Sequence, residues 1–285
     1  MNVYEIITAR IIETLEQGEI PWKKSWNAAT QAPRNLTSGK LYSGINVFLL
    51  LSARYQSPYW LTFKQAAERG GQIRKGEKGY PIVFWSKTEK EDQQTGEVKE
   101  VGFLRYYTVF NVAQIDGLKD IPAIETHQIS EDRAEAIDAA EMIVAQMPDR
   151  PQITHGHTRA CYSPAWDRVE MPVSISFDGP AEYYSTLFHE LTHATGHENR
   201  LNRHQTIKNH AFGSADYSKE ELVAEFGSAF LCAEAGISQA VINNQAAYIQ
   251  GWLQALKNDS KLLITAAAQA QKAADWIMGR QAVAA

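Results

Sequence analysis

The spacing of apolar positions separates predicted helices from predicted strands in the first half of the chain. Apolar residues recur at helical spacing through residues 2–17, and the stretches at 46–53 and 62–69 also favour helices. Residues 80–87 and 103–111 are rich in β-branched and aromatic residues, which predicts two strands. The polar and charged stretch between these strands indicates a hairpin loop. This half of the chain is therefore predicted to mix helices with an antiparallel sheet.

The second half is predicted to be mostly helical, with a few short strands. Near residues 121–130, a stretch rich in Trp, Tyr, Gly and Lys/Arg gives way to an Ala-rich helix at 131–146 with an acidic first turn. The further predicted elements are strands around 152–154, 159–162 and 168–171, and helices at 183–194 and 219–234 with one or two more after them. We therefore expect an α+β protein with domains at residues 1–126 and 127–285.

One pentapeptide of the second half, residues 189–193 (HELTH), has the form H-E-x-x-H. Histidines four residues apart project from one face of a helix, so both imidazoles can bind one metal ion. The glutamate between them can take a proton from a metal-bound water, as in zinc proteases. Gly196 is expected to end the helix soon afterwards. The motif predicts a zinc site with His189 and His193 as ligands and Glu190 as the general base.

A third protein ligand is expected from the next predicted helix. Catalytic zinc usually has three protein ligands and one open position for water. Glu221 and Glu225 lie one turn apart after the predicted N-cap Ser218, so both can face the metal. We assign Glu221 as the ligand and Glu225 as the acceptor of a free N–H from a zinc histidine, and the reverse assignment stays open. The expected cofactor is one Zn²⁺ per chain, or another divalent metal.

Other residues near the motif leave alternatives open. The rival metal ligands are His197, His204 and His210. His197 follows at helical spacing, but Gly196 is expected to break the helix first. The metzincin class needs a third histidine where Asn199 stands, so a glutamate ligand of the gluzincin kind is favoured. Candidates for stabilising an oxyanion are Tyr183, Tyr184 and Tyr217, and the sequence does not choose among them.

The segment that precedes the motif, residues 160–172, is predicted to form a β-hairpin. An exposed strand beside a metal site can pair with an extended peptide by β-augmentation. A hairpin with a purely structural role is the alternative.

A basic segment lies within this otherwise acidic chain. The formal net charge is −5, but residues 20–88 carry +9 and the other 216 residues carry −14. Sequence-tolerant binding of single-stranded nucleic acid needs cations for phosphates and aromatic rings for base stacking, and the segment contains both. Trp60 and Trp85 lie in apolar runs and are expected in the core. The predicted DNA contacts are Trp22, Lys23, Lys24, Trp26, Arg34, Lys40, Arg74, Lys75 and Lys78.

The sequence also indicates the cellular compartment of the protein. Only Cys161 and Cys232 are present, which implies no disulfide framework and fits a reducing compartment. The N-terminus lacks the features of a signal peptide, and no apolar run is long enough to span a bilayer. We therefore expect a cytoplasmic protein that does not interact with membranes.

Several segments together resemble the ArdC-type antirestriction proteins of conjugative plasmids. The segments that carry this resemblance are residues 44–46, 60–66, 74–79, 109–115, 185–197, 200–203 and 220–225. The resemblance implies an N-terminal single-stranded-DNA-binding domain, similar to that of plasmid primase accessory proteins, and a C-terminal zincin-like metallopeptidase domain. It also implies that the protein shields incoming plasmid DNA from host restriction during conjugation.

Two hypotheses of different classes follow. In the first, the protein is a zinc endopeptidase bound to DNA, with a host restriction-modification protein as its substrate or target. In the second, it is a DNA-binding shield or a blocker of the restriction enzyme, and its zinc site is structural or vestigial. The intact Glu190 favours the first hypothesis, because a purely structural site needs no general base.

Overall fold

A computed structural model of the chain describes residues 1–23, 26, 32–91, 98–123, 133–204, 215–237 and 245–280. These residues form helices and strands in the order expected of an α+β protein, which confirms the predicted class. The helices are α1 (Val3–Glu16), α2 (Ile45–Leu51), α3 (Phe63–Glu68), α4 (Arg133–Gln146), α5 (Pro180–Ala194), α6 (Ala215–Ala235), α7 (Gln245–Asn258) and α8 (Leu262–Ile277). The strands are β1 (Arg34–Asn35), β2 (Tyr59–Thr62), β3 (Gln72–Ile73), β4 (Tyr80–Glu91), β5 (Val98–Asn111), β6 (Ile115–Asp116), β7 (Gln152–His155), β8 (Cys161–Ser163) and β9 (Arg168–Met171).

The N-terminal half is built around a four-stranded sheet of order β1-β2-β5-β4. Strands β4 and β5 form a long antiparallel hairpin, in which the register runs from Tyr80 opposite Val109 to Glu91 opposite Val98. Both strands therefore extend into the stretch that was predicted as a loop. Polar residues can continue a hairpin in this way, because its ladder is made by the backbone and needs no apolar side chains. Strands β3 and β6 form a separate two-stranded sheet.

Side-chain caps fix the starts of two helices in this half. Asn2 and Glu5 form a capping box at α1, and Thr62 and Gln65 form another at α3. Each box satisfies two backbone N–H groups that the first helical turn leaves without a partner.

The C-terminal half contains a three-stranded mixed sheet of order β7-β9-β8 with helices packed against it. Strand β7 runs parallel to β9, and β8 runs antiparallel to β9 at the edge of the sheet. Helix α5 packs against both β8 and β9, and α6 packs against α5. The predicted hairpin at 160–172 is present as β8 and β9, and its edge strand lies next to the helix that carries the H-E-x-x-H motif.

One hydrophobic core joins the two halves of the chain. The apolar side of α1, the 3-10 turn Pro21–Lys23 and α2 all belong to the same buried cluster as the C-terminal helices. Trp22 contacts both Phe226 of α6 and Trp252 of α7, with ring centroids 5.1 and 6.2 Å apart. The expected boundary near residue 126 falls outside the described residues. The shared core argues against independent folding of residues 1–126.

Candidate metal centre

The H-E-x-x-H residues lie in α5, whose start and orientation are set by local sequence. Gly179 precedes the helix with φ 144°, a conformation that favours glycine, and Pro180 occupies its first turn. The Glu182 carboxylate accepts a hydrogen bond from Asp178 N at 2.6 Å. The buried apolar residues of the helix are Leu187, Phe188, Leu191 and Ala194. Packing of this side onto the core fixes how α5 presents its two histidines.

The three predicted metal ligands converge between α5 and α6. His189 Nε2 lies 3.2 Å from His193 Nε2 and 3.6 Å from Glu221 Oε2, and His193 Nε2 lies 3.6 Å from Glu221 Oε1. In a tetrahedral site with bonds of about 2.0–2.2 Å, ligand atoms are roughly 3.3–3.5 Å apart. The donor set and its spacing therefore fit one zinc-sized ion. The same residues line a cleft of about 560 Å³, through which water can reach a fourth position.

Negative charge is concentrated around His189. Burial alone would lower the pKa of this histidine, but the carboxylates of Glu221, Glu225 and Glu190 raise it to about 9. The same cleft raises the pKa of Tyr217 to about 12 through burial and the nearby Glu221 carboxylate. A divalent cation between the ligands would neutralise this excess of negative charge.

Small residues allow α5 and α6 to approach closely enough to share a metal. A Cβ on Gly227 of α6 would lie 2.5 Å from the Thr192 side chain of α5, so only glycine fits there. About two turns of α5 away, Ser228 Oγ donates a 2.8 Å hydrogen bond to the backbone oxygen of Ser185. These contacts set the helix separation on which the distance between the histidines and Glu221 depends.

Glu190 connects the motif to the edge strand β8. Its side chain is buried beside the cleft, and its Oε2 atom accepts a 2.7 Å hydrogen bond from Tyr162 N. Since that N–H points toward Glu190, the free edge of β8 faces the cleft. The carboxylate is thus held between the histidine pair and an edge at which an extended peptide can pair.

Glu220, rather than Glu225, contacts a metal-site histidine. The Oε1 atom of Glu220 lies 3.4 Å from His193 Nδ1, and its two oxygens accept hydrogen bonds from Arg203 at 2.8 and 3.3 Å. Although burial would raise the pKa of Glu220, contacts with His193, His204 and Arg203 hold it well below its usual value. Glu225 instead forms a 2.8 Å ion pair with Lys23. The predicted role of Glu225 is therefore corrected, because the neighbouring acid on α6 is the one that reaches the free imidazole nitrogen.

Two arginines close the C-terminal end of α5. Arg200 Nε donates to the backbone oxygen of Ala194 at 2.7 Å, and Arg203 Nη2 donates to the backbone oxygen of Thr192 at 2.8 Å. These bonds satisfy carbonyl groups that a helix end leaves without partners. Arg200 also forms an ion pair with Asp167 of the β8–β9 turn. The second half of the motif is thereby fixed to both the strand hairpin and α6.

Glycine is required at position 196 by a close side-chain contact and not, as predicted, by the end of the helix. The helix ends at Ala194, and Thr195 caps it in an ordinary helical conformation. A Cβ on Gly196 would lie 2.2 Å from His204 Nε2, so the glycine admits the His204 imidazole. His204 Nε2 lies 3.7 Å from Glu220 Oε1.

The positions of the rival ligands and of the candidate tyrosines show which of them lie at the metal cleft. His204 contacts Glu220 and is not part of the three-residue cluster that can hold a metal within the described ranges. His197 is also absent from this cluster, and His210 lies outside the described residues. Tyr183 OH lies 2.8 Å from His155, and Tyr184 OH donates to Glu141, whereas Tyr217 lines the metal cleft. Tyr217 is therefore the tyrosine that geometry favours.

Two of the predicted DNA contacts are buried, and a third is paired with a carboxylate. Trp22 is 0% exposed, and its indole N–H donates to Tyr248 OH at 3.0 Å. Trp26 is 9% exposed, and the Lys23 ammonium is paired with Glu225. Trp22 and Lys23 connect the N-terminal segment to α7 and α6. The prediction is wrong for the buried rings of Trp22 and Trp26, which are not available to stack on DNA bases, whereas Lys23 stays a prediction.

The remaining predicted DNA contacts differ in their surroundings. Lys40, Lys75 and Lys78 are exposed, and Arg34 is half-buried. Arg74 is exposed but pairs with Glu77 at 2.8 Å and with Asp116 at 3.4 Å. Lys24 lies outside the described residues. Trp60 is buried as expected, but Trp85, which was expected in the core, is 54% exposed.

Comparisons with known proteins agree with this arrangement of sheets and helices. Residues 1–110 match the N-terminal domain of anti-restriction factor ArdC, and residues 138–269 match a zincin-like metallopeptidase. A metal-free crystal structure of antirestriction ArdC protein from the R388 plasmid is 38% identical, with a TM-score of 0.76, and the alignment covers 99% of this chain and 100% of that one. The chain belongs to the ArdC family of antirestriction proteins.

Other relatives place the family in a wider context. An Mn(II)-bound structure of the R388 ArdC protein matches with a TM-score of 0.75 at 37% identity, covering 98% of each chain. An uncharacterized protein, y4eC, of Sinorhizobium fredii is 35% identical, over 98% of this chain and 92% of its own. A DNA primase TraC of Escherichia coli is 39% identical over 96% of this chain, but the chain spans only 27% of that relative. Among the described helices, none is long and apolar enough to cross a membrane.

Proposed function

We propose that this ArdC-family chain binds single-stranded DNA and carries a zinc-type peptidase centre, and that together these protect incoming plasmid DNA from host restriction during conjugation. The observation that carries the peptidase part is the convergence of His189, His193 and Glu221 beside the buried carboxylate of Glu190. A metal with a purely structural role would have no use for that carboxylate. A host restriction-modification protein in the cytoplasm is the proposed target.

The chemistry of the centre divides between the ion and the chain. Held by His189, His193 and Glu221, a zinc-type ion would polarise the scissile carbonyl and make an attacking water more acidic. Glu190 would act as the general base for the attacking water and would pass the proton to the leaving amine. The free edge of β8 holds the substrate backbone extended across the cleft, beside the Tyr162 backbone. Tyr217 lines the cleft next to Glu221, where its phenolic O–H would donate a hydrogen bond to a developing oxyanion.

Charge and family membership support the DNA-binding part. Residues 20–88 carry +9, and exposed lysines such as Lys40, Lys75 and Lys78 remain available on the surface. The match of residues 1–110 to the ArdC N-terminal domain and the similarity to two DNA primases fit a protein that handles plasmid DNA. Affinity for DNA should fall with salt, because phosphate contacts release counterions.

The second candidate function is a shield without proteolysis. The TraC relatives favour it, because they are DNA primases and so connect chains of this kind with the handling of DNA. In that case, coating of DNA or blocking of the restriction enzyme would protect the plasmid, and the metal would only stabilise the fold.

The Glu190→Gln variant separates the two functions. It keeps the size of the side chain but removes the general base, which should slow hydrolysis by about 10²–10⁴-fold while metal and DNA binding persist. Glu182→Gln, a change at a half-buried glutamate on the same helix outside the cleft, is the matched control. Plasmid transfer is measured into restricting and non-restricting recipients, together with the amount of intact restriction subunits. Protection that is lost in Glu190→Gln but kept in Glu182→Gln supports the peptidase function. Full protection by Glu190→Gln would establish that the protein shields DNA without proteolysis.

A further inference from the structure

The β4–β5 hairpin exposes four large aromatic side chains within a short stretch. Phe84, Trp85, Tyr106 and Tyr107 are 44%, 54%, 49% and 45% exposed. Clustered rings of this kind on a protein surface usually mark a binding site. Because side chains alternate along a strand and paired residues share a face, these rings divide between the two faces of the hairpin.

One of these faces, which we call the aromatic–arginine face, contains Phe84, Phe103, Arg105 and Tyr107. The register pairs Phe84 with Arg105, and Phe103 and Tyr107 lie two residues to either side of Arg105 on β5. The rings of Phe84 and Tyr107 are 5.9 Å apart, edge to face. The Arg105 guanidinium lies 4.9 Å from the Phe103 ring centroid. A planar cation is thus set among three rings on one surface.

The electrostatic surroundings of this face suit a polyanion. Arg105 is exposed and has no ion pair among the described residues, and residues 80–88 and 102–109 contain no acidic side chain. The turn that leads directly into β4 carries the exposed Lys75 and Lys78. A Cβ on the next residue, Gly79, would lie 2.2 Å from the Thr108 side chain, so only glycine lets this turn approach β5 closely, on the face opposite to Arg105.

Each face of the hairpin is partly covered by the body of the protein. Ile82, on the aromatic–arginine face, is buried in a smaller core cluster. On the opposite face, Val83 is buried in the main core and Leu104 packs against it. Trp85 and Tyr106 on this face are exposed. Trp85 and Tyr106 therefore serve as a control pair for Phe84 and Tyr107 on the same two strands.

We propose that the aromatic–arginine face is the surface on which the protein stacks the bases of single-stranded DNA, while Arg105 and the basic turn bind its phosphates. Every base offers a flat face to an aromatic ring, so stacking tolerates any sequence, and the guanidinium can stack as well as pair with phosphate. Duplex DNA hides these base faces and is not accommodated. This inference rests on the proposed DNA-binding function and names its site.

The test measures binding of the full chain to a fluorescein-labelled oligothymidylate of about 20 nucleotides, longer than the site of a typical single-strand-binding fold. Fluorescence anisotropy is recorded over a series of salt concentrations. The double variant Phe84→Ala/Tyr107→Ala should weaken binding by roughly 5- to 150-fold per stacked base, without changing the salt dependence. Arg105→Gln should reduce the slope of log K against log salt by about 0.7, the value for one phosphate contact to a single strand. Trp85→Ala/Tyr106→Ala should bind as the wild type does.

The outcomes separate this inference from the proposed function. Failure of the wild type to bind the oligonucleotide would refute DNA binding itself. Binding by the wild type with no loss in either Phe84→Ala/Tyr107→Ala or Arg105→Gln would overturn only the assigned face, as would loss confined to Trp85→Ala/Tyr106→Ala. Light scattering gives the last check, because a dimer that dissociates in Phe84→Ala/Tyr107→Ala would make the face a contact between copies and refute the inference. Arg105 is exposed, so Arg105→Gln remains informative even if the double variant does not fold.

Discussion

Replacing Glu220 by glutamine tests whether this acid orients the metal site. The carboxylate lies 3.4 Å from His193 Nδ1 and is held by Arg203, and its side chain is only 13% exposed. Glutamine keeps the size and one acceptor oxygen but removes the charge that favours the His193 tautomer with its proton on Nδ1. Loss of such a partner commonly weakens metal binding by about 10–100-fold, which corresponds to about 1.4–2.7 kcal/mol.

Calorimetric titration of the metal-free protein with Zn²⁺ and Mn²⁺ measures this effect. Glu234→Gln is the matched control, because Glu234 lies on the same helix and pairs with the exposed Arg280 instead of a histidine. Circular dichroism of each metal-free variant shows whether the protein is still folded, since Arg203 also loses its ionic partner. Metal affinity that is unchanged in Glu220→Gln but reduced in Glu225→Gln would refute this assignment and restore the role first predicted for Glu225.

Three further predictions follow from contacts around the site. Burial alone would raise the pKa of Asp167, but hydrogen bonds from Arg200 and Tyr162 hold it below its usual value. The ionised Asp167 therefore stabilises the fold above the unfolded-state pKa, and this stabilisation is lost as pH falls through the folded-state pKa. Asp167→Asn should flatten the acid limb of a stability–pH curve from urea unfolding, and a limb as steep as that of the wild type would contradict this. Gly227→Ala should push α5 and α6 apart, which lowers the free energy of unfolding by about 1–3 kcal/mol and also weakens metal binding. Thermal unfolding and metal titration measure the two effects, and wild-type values in both would contradict the predicted clash. A fragment of residues 1–126 should lack cooperative unfolding, because it exposes the core around Trp22, and a sharp thermal transition of that fragment would show that it folds alone.

Local spacing was enough to predict the centre of the site. The two histidines and Glu190 lie on one helix, and the helical repeat alone places the imidazoles on one face. Glu221 could be selected because a second helix with acids one turn apart followed the motif. The edge strand beside the cleft was also predictable, because the 160–172 segment has a turn at Ser163–Asp167 between two short candidate strands.

Contacts between distant parts of the chain could not be predicted in this way. Trp22 was assigned to DNA because composition shows which residue types are present and not which are buried, and its partner Tyr248 lies at the other end of the chain. Glu220 resembled an acid that merely favours a helix N-terminus, and its contact with Arg203 depends on the fold of the intervening residues. The exposed rings of the hairpin had one signal in the sequence. Phe84 and Trp85 are adjacent in a strand, so their side chains point to opposite faces of the sheet, and one core on one face cannot bury both.

The most direct test of the metal centre is an anomalous difference map from crystals of this protein soaked in Zn²⁺ or Mn²⁺, recorded at the absorption edge of the metal. The geometry predicts one peak per chain about 2.0–2.2 Å from His189 Nε2, His193 Nε2 and a carboxylate oxygen of Glu221, with a fourth position open to the cleft. A peak bound by His204 or Glu220 instead, or no peak between α5 and α6 at saturating metal, would contradict the account.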